Sequence, residues 1–240
     1  MSKTEKIKTY YETYDYNSRR PVFADWDELS QEQQDRLTKS DVFCMIPWIH
    51  LHGFPDGRAY PCCLGEMDHP IGDMKTQTLA EIWNDEPYKQ MRRNMLDEKP
   101  CAQCTRCYEQ ESNGFFSMRN SSNKHFGHHI DKADNTNPDG SLDDFNLVYW
   151  DIRFSNLCNF RCRTCGPIFS SNWYDDYKNM WGRTPDHPKV MYAGRDKLDI
   201  WLQMEDHLDS IEQVYFAGGE PLIMEEHYRI LKALVERERF

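Results

Sequence analysis

The sequence lacks the features that mark membrane, secreted or nucleic-acid-binding proteins. Its 240 residues contain no apolar run near the ~18 residues that span a bilayer, and the first residues show no apolar stretch typical of a signal peptide. Acidic residues outnumber basic ones: the chain has 40 Asp and Glu and 29 Lys and Arg, which gives a net charge of -11. A surface that grips phosphate backbones is therefore disfavoured. We expect a cytoplasmic protein with neither a membrane nor a nucleic acid as partner.

Cysteine is the most informative component of the chain. The nine cysteines are odd in number and closely grouped, and they are Cys44, Cys62, Cys63, Cys101, Cys104, Cys107, Cys158, Cys162 and Cys165. In a chain with no export signal, such grouping indicates metal ligands in a reducing compartment rather than disulfide bridges.

Composition and turn signals predict four segments. Residues 1–40 are polar and form an N-terminal extension, with one amphipathic helix expected between Asp25 and Leu37. Residues 41–130 hold the first six cysteines. Residues 131–146 are acidic and rich in turn formers, with almost nothing to bury, so they are predicted to be a linker. Residues 147–240 form the last segment.

Local patterns predict the elements inside these segments. Before residue 147, we expect a hairpin around the turn 54–57 and helices that begin at Thr78 and Pro87. After it, we expect a strand over 147–154, helices over 172–181 and 197–208, a strand over 213–217 and a helix over 225–239. The order after residue 147 is the start of a parallel α/β arrangement. In such folds, functional sites collect at the C-terminal ends of the strands.

Three cysteines follow the strand over 147–154 within eight residues. Cys158, Cys162 and Cys165 can hold three corners of a [4Fe–4S] cube and leave the fourth iron without a protein ligand, which makes that iron a binding position. The alternative is a zinc knuckle that takes its fourth ligand from a histidine. The candidates for that ligand are His125, His128 and His129.

A second motif stands at the end of the next predicted strand. There Gly218 and Gly219 let the backbone approach a ligand closely, and Glu220 and Pro221 follow them. The order of these features resembles the radical S-adenosylmethionine (radical SAM) superfamily. A strand is followed by a C-x3-C-x2-C loop, and about fifty residues later a second strand ends in Gly-Gly-Glu-Pro.

The resemblance implies a cofactor site. Cys158, Cys162 and Cys165 would bind a [4Fe–4S] cluster whose open iron is chelated by SAM, and Gly218, Gly219, Glu220 and Pro221 would lie against the SAM amino group. The cluster and SAM would together generate a 5′-deoxyadenosyl radical that takes hydrogen from a substrate. No side chain is singled out as catalytic. Thr164 departs from the family pattern, which commonly has an aromatic residue there to pack the adenine.

The upstream cysteines form a two-part ligand set that suits either a four-cysteine zinc site or an iron–sulfur cluster. The pattern C-x12-G-x4-C followed by a close-set cysteine group resembles the SPASM and twitch modules, which carry auxiliary clusters on radical SAM enzymes. The resemblance implies one auxiliary [4Fe–4S] cluster for electron delivery or substrate anchoring. The expected ligands are Cys44, Cys62, Cys104 and Cys107, with Cys101 as the reserve. Cys63 is expected to be a buried thiol.

The predicted fold class is therefore α/β, a partial (β/α)6 radical SAM barrel preceded by a small α+β cysteine-rich SPASM/twitch-like module. The 94 residues from Leu147 onward suffice for two or three strand–helix units, so the chain is expected to be part of a longer or split protein that pairs with the missing barrel half. The expected partners are a peptide, protein or small-molecule substrate and an electron donor such as flavodoxin or ferredoxin. Two alternatives stay open: an iron–sulfur electron carrier or assembly partner without its own catalysis, and a zinc-binding interaction module.

Overall fold

The structure is a computed structural model that describes residues 18–195 and 198–238. The α-helices in these ranges are α1 (Gln31–Thr38), α2 (Leu79–Trp83), α3 (Glu86–Leu96), α4 (Thr105–Ser112), α5 (Met118–Phe126), α6 (Asp131–Asp134), α7 (Tyr174–Trp181), α8 (Ile200–Met204) and α9 (Glu225–Glu236). The strands are β1 (His50–Gly53), β2 (Arg58–Tyr60), β3 (Gly72–Asp73), β4 (Tyr149–Ile152) and β5 (Gln213–Val214). Among the described residues, no helix has the length and apolar character needed to cross a membrane.

The chain divides into two compact units. The first contains the described residues up to Ile49 together with Gln90–Ser141, and the second contains His50–Lys89 and the described residues from Leu142 onward. All five strands lie in the second unit. The four segment boundaries drawn from the sequence stay a prediction, and residues 1–17 of the predicted extension lie outside the described residues.

One five-stranded mixed sheet, in the order β3-β2-β1-β4-β5, forms the centre of the second unit. The predicted hairpin is confirmed, because β1 and β2 pair antiparallel. β1 also pairs in parallel with β4, so that His50 lies opposite Tyr149 and Gly53 opposite Ile152. Strands from the cysteine-rich segment and from the last segment therefore share one sheet, a pairing that the sequence pattern does not predict. The mixed α/β class is confirmed, and the barrel stays a prediction.

The two faces of this sheet differ in chemistry, because side chains alternate along each strand. Leu51, Trp150 and Ile152 are buried on one face. His52 and Asp151 share the other face, and His52 Nδ1 lies 2.9 Å from Asp151 Oδ2. Burial acts to raise the pKa of Asp151, but the contact with His52 holds this pKa below its usual value.

Capping boxes explain where several helices begin. Ser30, Thr78 and Ser117 each accept a side-chain hydrogen bond from the backbone N–H three residues later. In return, the side chain at that later position accepts a hydrogen bond from the backbone N–H of the cap residue. The helix predicted to begin at Thr78 is thus confirmed. The helix expected between Asp25 and Leu37 is divided into a 3-10 turn, Trp26–Glu28, and α1.

The first unit is packed around the segment that follows Cys44. Phe43 and Trp48 stack with ring centroids 5.2 Å apart, and the Trp48 Nε1–H donates to Thr136 Oγ1 at 2.8 Å. The buried Arg92 donates from Nε to the carbonyl of Pro47 at 2.9 Å. These contacts fix the chain on the C-terminal side of Cys44.

The segment 131–146 has more structure than its composition indicates. It carries α6, and Ala133 and Leu142 are buried. Leu142 is also held by Asn84, whose side-chain amide donates to the Leu142 carbonyl at 2.8 Å and accepts from its N–H at 3.0 Å. Its role as a linker stays a prediction.

Candidate functional site

The three-cysteine loop begins shortly after β4 ends at Ile152. Cys158 and Cys165 are half-buried, Cys162 is exposed, and all three are free thiols. The Phe160 N–H donates to Cys158 Sγ at 3.3 Å, and the Cys165 N–H donates to the carbonyl of Cys162 at 3.0 Å. The loop therefore presents three thiols near or at the surface of the second unit, on a tightly turned backbone.

Side chains at 170–173 hold the backbone of this loop. Ser171 Oγ accepts from the Cys158 N–H at 3.1 Å, Ser170 Oγ donates to the Phe160 carbonyl at 2.8 Å, and the Trp173 Nε1–H donates to the Cys162 carbonyl at 2.9 Å. Ser170 and Ser171 are both buried. Backbone groups of the loop are therefore held by side chains that follow it in the sequence.

Asn156 ties the base of the loop to two other segments. Its Nδ2 donates to the carbonyls of Pro167 at 2.9 Å and Lys189 at 3.1 Å, and its Oδ1 accepts from the Met191 N–H at 2.8 Å. The side chain is fully buried, and these three bonds satisfy its polar atoms.

The Gly-Gly turn after β5 contacts the same loop directly. The Glu220 N–H donates to the Leu157 carbonyl at 2.8 Å, and the Gly219 N–H donates to the Phe169 carbonyl at 3.1 Å. Both glycines have left-handed backbone angles, with φ of +85° at Gly218 and +59° at Gly219. A Cβ at Gly219 would lie 2.1 Å from the Leu157 oxygen, so this approach requires glycine.

Glu220 and Pro221 form the end of the turn. Glu220 Oε1 accepts from the Leu222 N–H at 3.1 Å and caps the 3-10 turn Pro221–Ile223. The structure thus brings the two predicted motifs of the second unit together. Which of their atoms would bind a cofactor stays a prediction.

In the first unit, cysteines occur around α4 and in the segment before Trp48. Cys44, Cys101 and Cys107 are buried, and Cys104 is half-buried. Burial raises the pKa of the Cys44 thiol to about 12, and neighbouring Cys107 adds to this rise. A hydrogen bond with Cys104 lowers the pKa of Cys101. The Cys101 N–H also donates to Tyr108 Oη at 3.2 Å. These four cysteines share one compact unit, and thiolates are the ligands that iron–sulfur clusters use.

The remaining two cysteines lie in the second unit, after β2. Cys62 is half-buried and Cys63 is exposed, and the Gly65 N–H donates to the Cys62 carbonyl at 3.0 Å. The expectation that Cys63 is a buried thiol is wrong, because β2 ends at Tyr60 and strand alternation no longer applies at position 63. The ligand set of Cys44, Cys62, Cys104 and Cys107, with Cys101 in reserve, is neither confirmed nor contradicted.

Comparison with known protein families gives a match that covers these upstream cysteines. Residues 44–108 match the family model of SPASM, an iron–sulfur cluster-binding domain. Six of the nine cysteines lie within the match, from Cys44 to Cys107. Neither the curated proteins nor the solved structures contain a match to the chain. The chain thus carries an iron–sulfur-binding domain of a type typical of radical SAM enzymes.

Two buried polar residues on α5 lie just beyond the matched range, and one of them, Asn123, was not found from the sequence. Arg119 and Asn123 are 2% and 1% exposed and hydrogen-bond the backbone on either side of Cys44. The signal that could have found Asn123 is the composition of α5, which begins with a capping box and yet offers few apolar residues to bury.

Proposed function

We propose that this chain is part of a radical SAM enzyme that acts on a peptide, protein or small-molecule substrate. When bound, a [4Fe–4S] cluster with an open iron would pass one electron from an external donor to SAM, and the 5′-deoxyadenosyl radical released by this cleavage would take a hydrogen atom from the substrate. The donor set fits this group, since three free thiols stand on one partly exposed loop after a parallel strand.

One contact supports the proposal most strongly. The loop that carries Cys158 is bonded through Leu157 to Glu220, the residue after the Gly-Gly turn. Two motifs about sixty residues apart in sequence are therefore adjacent at the ends of the neighbouring parallel strands β4 and β5. Ligand sites in parallel α/β folds form at this edge of the sheet.

The roles of the residues follow from this placement. Cys158, Cys162 and Cys165 would hold the cluster. Gly218 and Gly219 allow the turn to pack against Arg153 and Leu157, where a Cβ would clash, and so would place the turn beside SAM. Ser171 and Trp173 hold the backbone of the cysteine loop and would orient it for the cluster. Glu220 holds the turn through the Leu222 N–H and would face the SAM amino group.

The SPASM match supports an auxiliary cluster in the same protein. Its proposed ligands are Cys44, Cys62, Cys104 and Cys107, with Cys101 as the reserve. Its role would be electron delivery or substrate anchoring. An external donor such as flavodoxin or ferredoxin would reduce the enzyme in the cytoplasm.

Metal analysis of anaerobically reconstituted protein tests this proposal. Iron, sulfide and zinc are measured per chain for the wild type, for a triple Cys158→Ala, Cys162→Ala, Cys165→Ala variant and for Cys63→Ala as the matched control. We expect iron and sulfide for two clusters in the wild type and in Cys63→Ala, and for one cluster in the triple variant. Stoichiometric zinc with little iron in the wild type would contradict the proposal and favour the zinc-binding module.

A further inference from the structure

The helix that follows the SPASM match carries a polar face directed at Cys44. Arg119, Ser122 and Asn123 stand at positions i, i+3 and i+4 of α5 and therefore share one side of the helix. All three are at least 97% buried. Buried polar side chains are retained only where they have hydrogen-bond partners, so the partners of this face show its role.

Asn123 binds the backbone on both sides of Cys44. Its Nδ2 donates to the Phe43 carbonyl at 3.0 Å, and its Oδ1 accepts from the Met45 N–H at 2.8 Å. One planar amide therefore fixes the peptide groups that precede and follow the cysteine. With both peptides fixed, the direction of the Cys44 Cα–Cβ bond is fixed as well.

Arg119 also binds the backbone that precedes Cys44. Arg119 Nη1 donates to the same Phe43 carbonyl at 2.9 Å and to the Ser40 carbonyl at 2.8 Å. Its other face is bound by Glu111, through Nε to Oε1 at 2.9 Å and through Nη2 to Oε2. The Ser122 hydroxyl is used within the helix, where it donates to the Met118 carbonyl at 2.8 Å.

We propose that Asn123, supported by Arg119, is a positioning residue that presents the Cys44 thiol to the auxiliary iron–sulfur cluster. The functional module then extends beyond the matched range 44–108 to include α5. The inference rests on the proposed auxiliary cluster, but the clamp itself is a property of the protein without any cluster. A metal ligand held by its surroundings loses less conformational freedom on binding, which favours cluster assembly at that cysteine.

The test compares Asn123→Ala with a matched control, Asn84→Ala. Asn84 makes the same pair of bonds, to the Leu142 carbonyl and N–H, and no cysteine adjoins Leu142. The first readout is the alkylation rate of Cys44 by iodoacetamide in the cluster-free full chain, followed by peptide mass mapping. The second is iron and sulfide per chain after reconstitution.

We expect Asn123→Ala to speed alkylation of Cys44 by about tenfold or more, and to lose the iron of one cluster. Asn84→Ala should change neither quantity. Equal effects of the two variants would overturn the proposal, because they would reduce Asn123 to a general contributor to stability. No change at Cys44 would overturn it as well.

Two further arms keep the proposal testable. If Asn123→Ala does not fold, Asn123→Ser retains a polar group that is too short to span both peptides, and the same two outcomes apply. If the wild type holds no auxiliary cluster, the proposed function fails on the metal analysis. The alkylation rate then still reports whether Asn123 fixes Cys44, so the two failures are distinguishable.

Discussion

The N–H of Glu220 donates to the carbonyl of Leu157 across 2.8 Å. This bond joins the residue before the first loop cysteine to the residue after the Gly-Gly turn. It is possible only because Gly219 places no Cβ between the two segments, where such an atom would meet the Leu157 oxygen at 2.1 Å. The chemistry proposed for the second unit depends on this junction.

The first prediction concerns Gly219→Ala. The substitution combines a left-handed backbone angle with a direct clash, so we expect it to lower the free energy of unfolding by about 3 kcal/mol or more. It should also reduce the iron retained by the Cys158 loop. Gly182→Ala is the matched control, since Gly182 has a φ of +64° and nothing within 4 Å of its Cβ position. That control should lose about 1 to 2 kcal/mol. Similar losses for both variants, measured by urea unfolding, would show that the junction with Leu157 is unimportant.

The second prediction concerns pH and His50. Burial lowers the pKa of His50 to about 4, and its Nδ1 lies 2.9 Å from the Tyr149 carbonyl, which requires a proton on that nitrogen. In the unfolded chain the pKa of histidine is about 6.5, so between these two values the unfolded state binds more protons. Stability is therefore complete above pH 6.5 and falls by roughly 3 kcal/mol as the pH drops towards 4.

His50→Asn tests this account, because the asparagine Nδ2 can replace the histidine Nδ1 as donor without titrating. Unfolding free energies measured from pH 4 to pH 7 should depend less steeply on pH in this variant. The exposed His69 provides the control, and His69→Asn should keep the slope of the wild type. An unchanged slope in His50→Asn would mean that other groups cause the acid sensitivity.

The third prediction concerns the buried pair of Arg119 and Glu111. Their side chains are 2% and 12% exposed, and removal of either leaves the other charge without its partner in a poorly solvated place. Arg119→Ala and Glu111→Ala should each cost about 3 to 5 kcal/mol. The double variant should cost clearly less than the sum of the two single variants, because it leaves no unpaired charge. Additive losses in a double-mutant cycle would show that the two residues act independently.

Local signals in the sequence predicted much of the secondary structure. Thr78 and Glu81 have the spacing of a capping box, and α2 begins there. The turn at Asp56 and Gly57 predicted the hairpin of β1 and β2. These features depend on neighbours a few residues apart, which is why a single sequence reveals them.

Those local signals do not predict contacts between residues that are far apart in the sequence. His50 pairs with Tyr149 across almost a hundred residues, and nothing local to either strand specifies the other as its partner. The role of Asn123 was missed for the same reason, since its partners Phe43 and Met45 lie about eighty residues earlier. Cys63 was misjudged because a strand was extended past its true end at Tyr60.

The sequence predicted which residues form the candidate site, but not the side chains that hold them. The spacing of Cys158, Cys162 and Cys165 pointed to a cluster loop, and the structure places that loop against the Gly-Gly turn. The side chains that hold the loop, Ser171 and Trp173, belong to no motif. They act through backbone groups of the loop, so their importance depends on the folded geometry.

The proposed function requires that Cys158, Cys162 and Cys165 hold a [4Fe–4S] cluster with an iron open to SAM. The most direct test is the EPR spectrum of the dithionite-reduced, reconstituted protein, recorded with and without SAM, for the wild type and for the triple cysteine variant. We expect SAM to change the spectrum of the wild type. The triple variant should retain one cluster signal that SAM does not alter. A reduced-cluster signal in the wild type that is the same with and without SAM would contradict the proposed function.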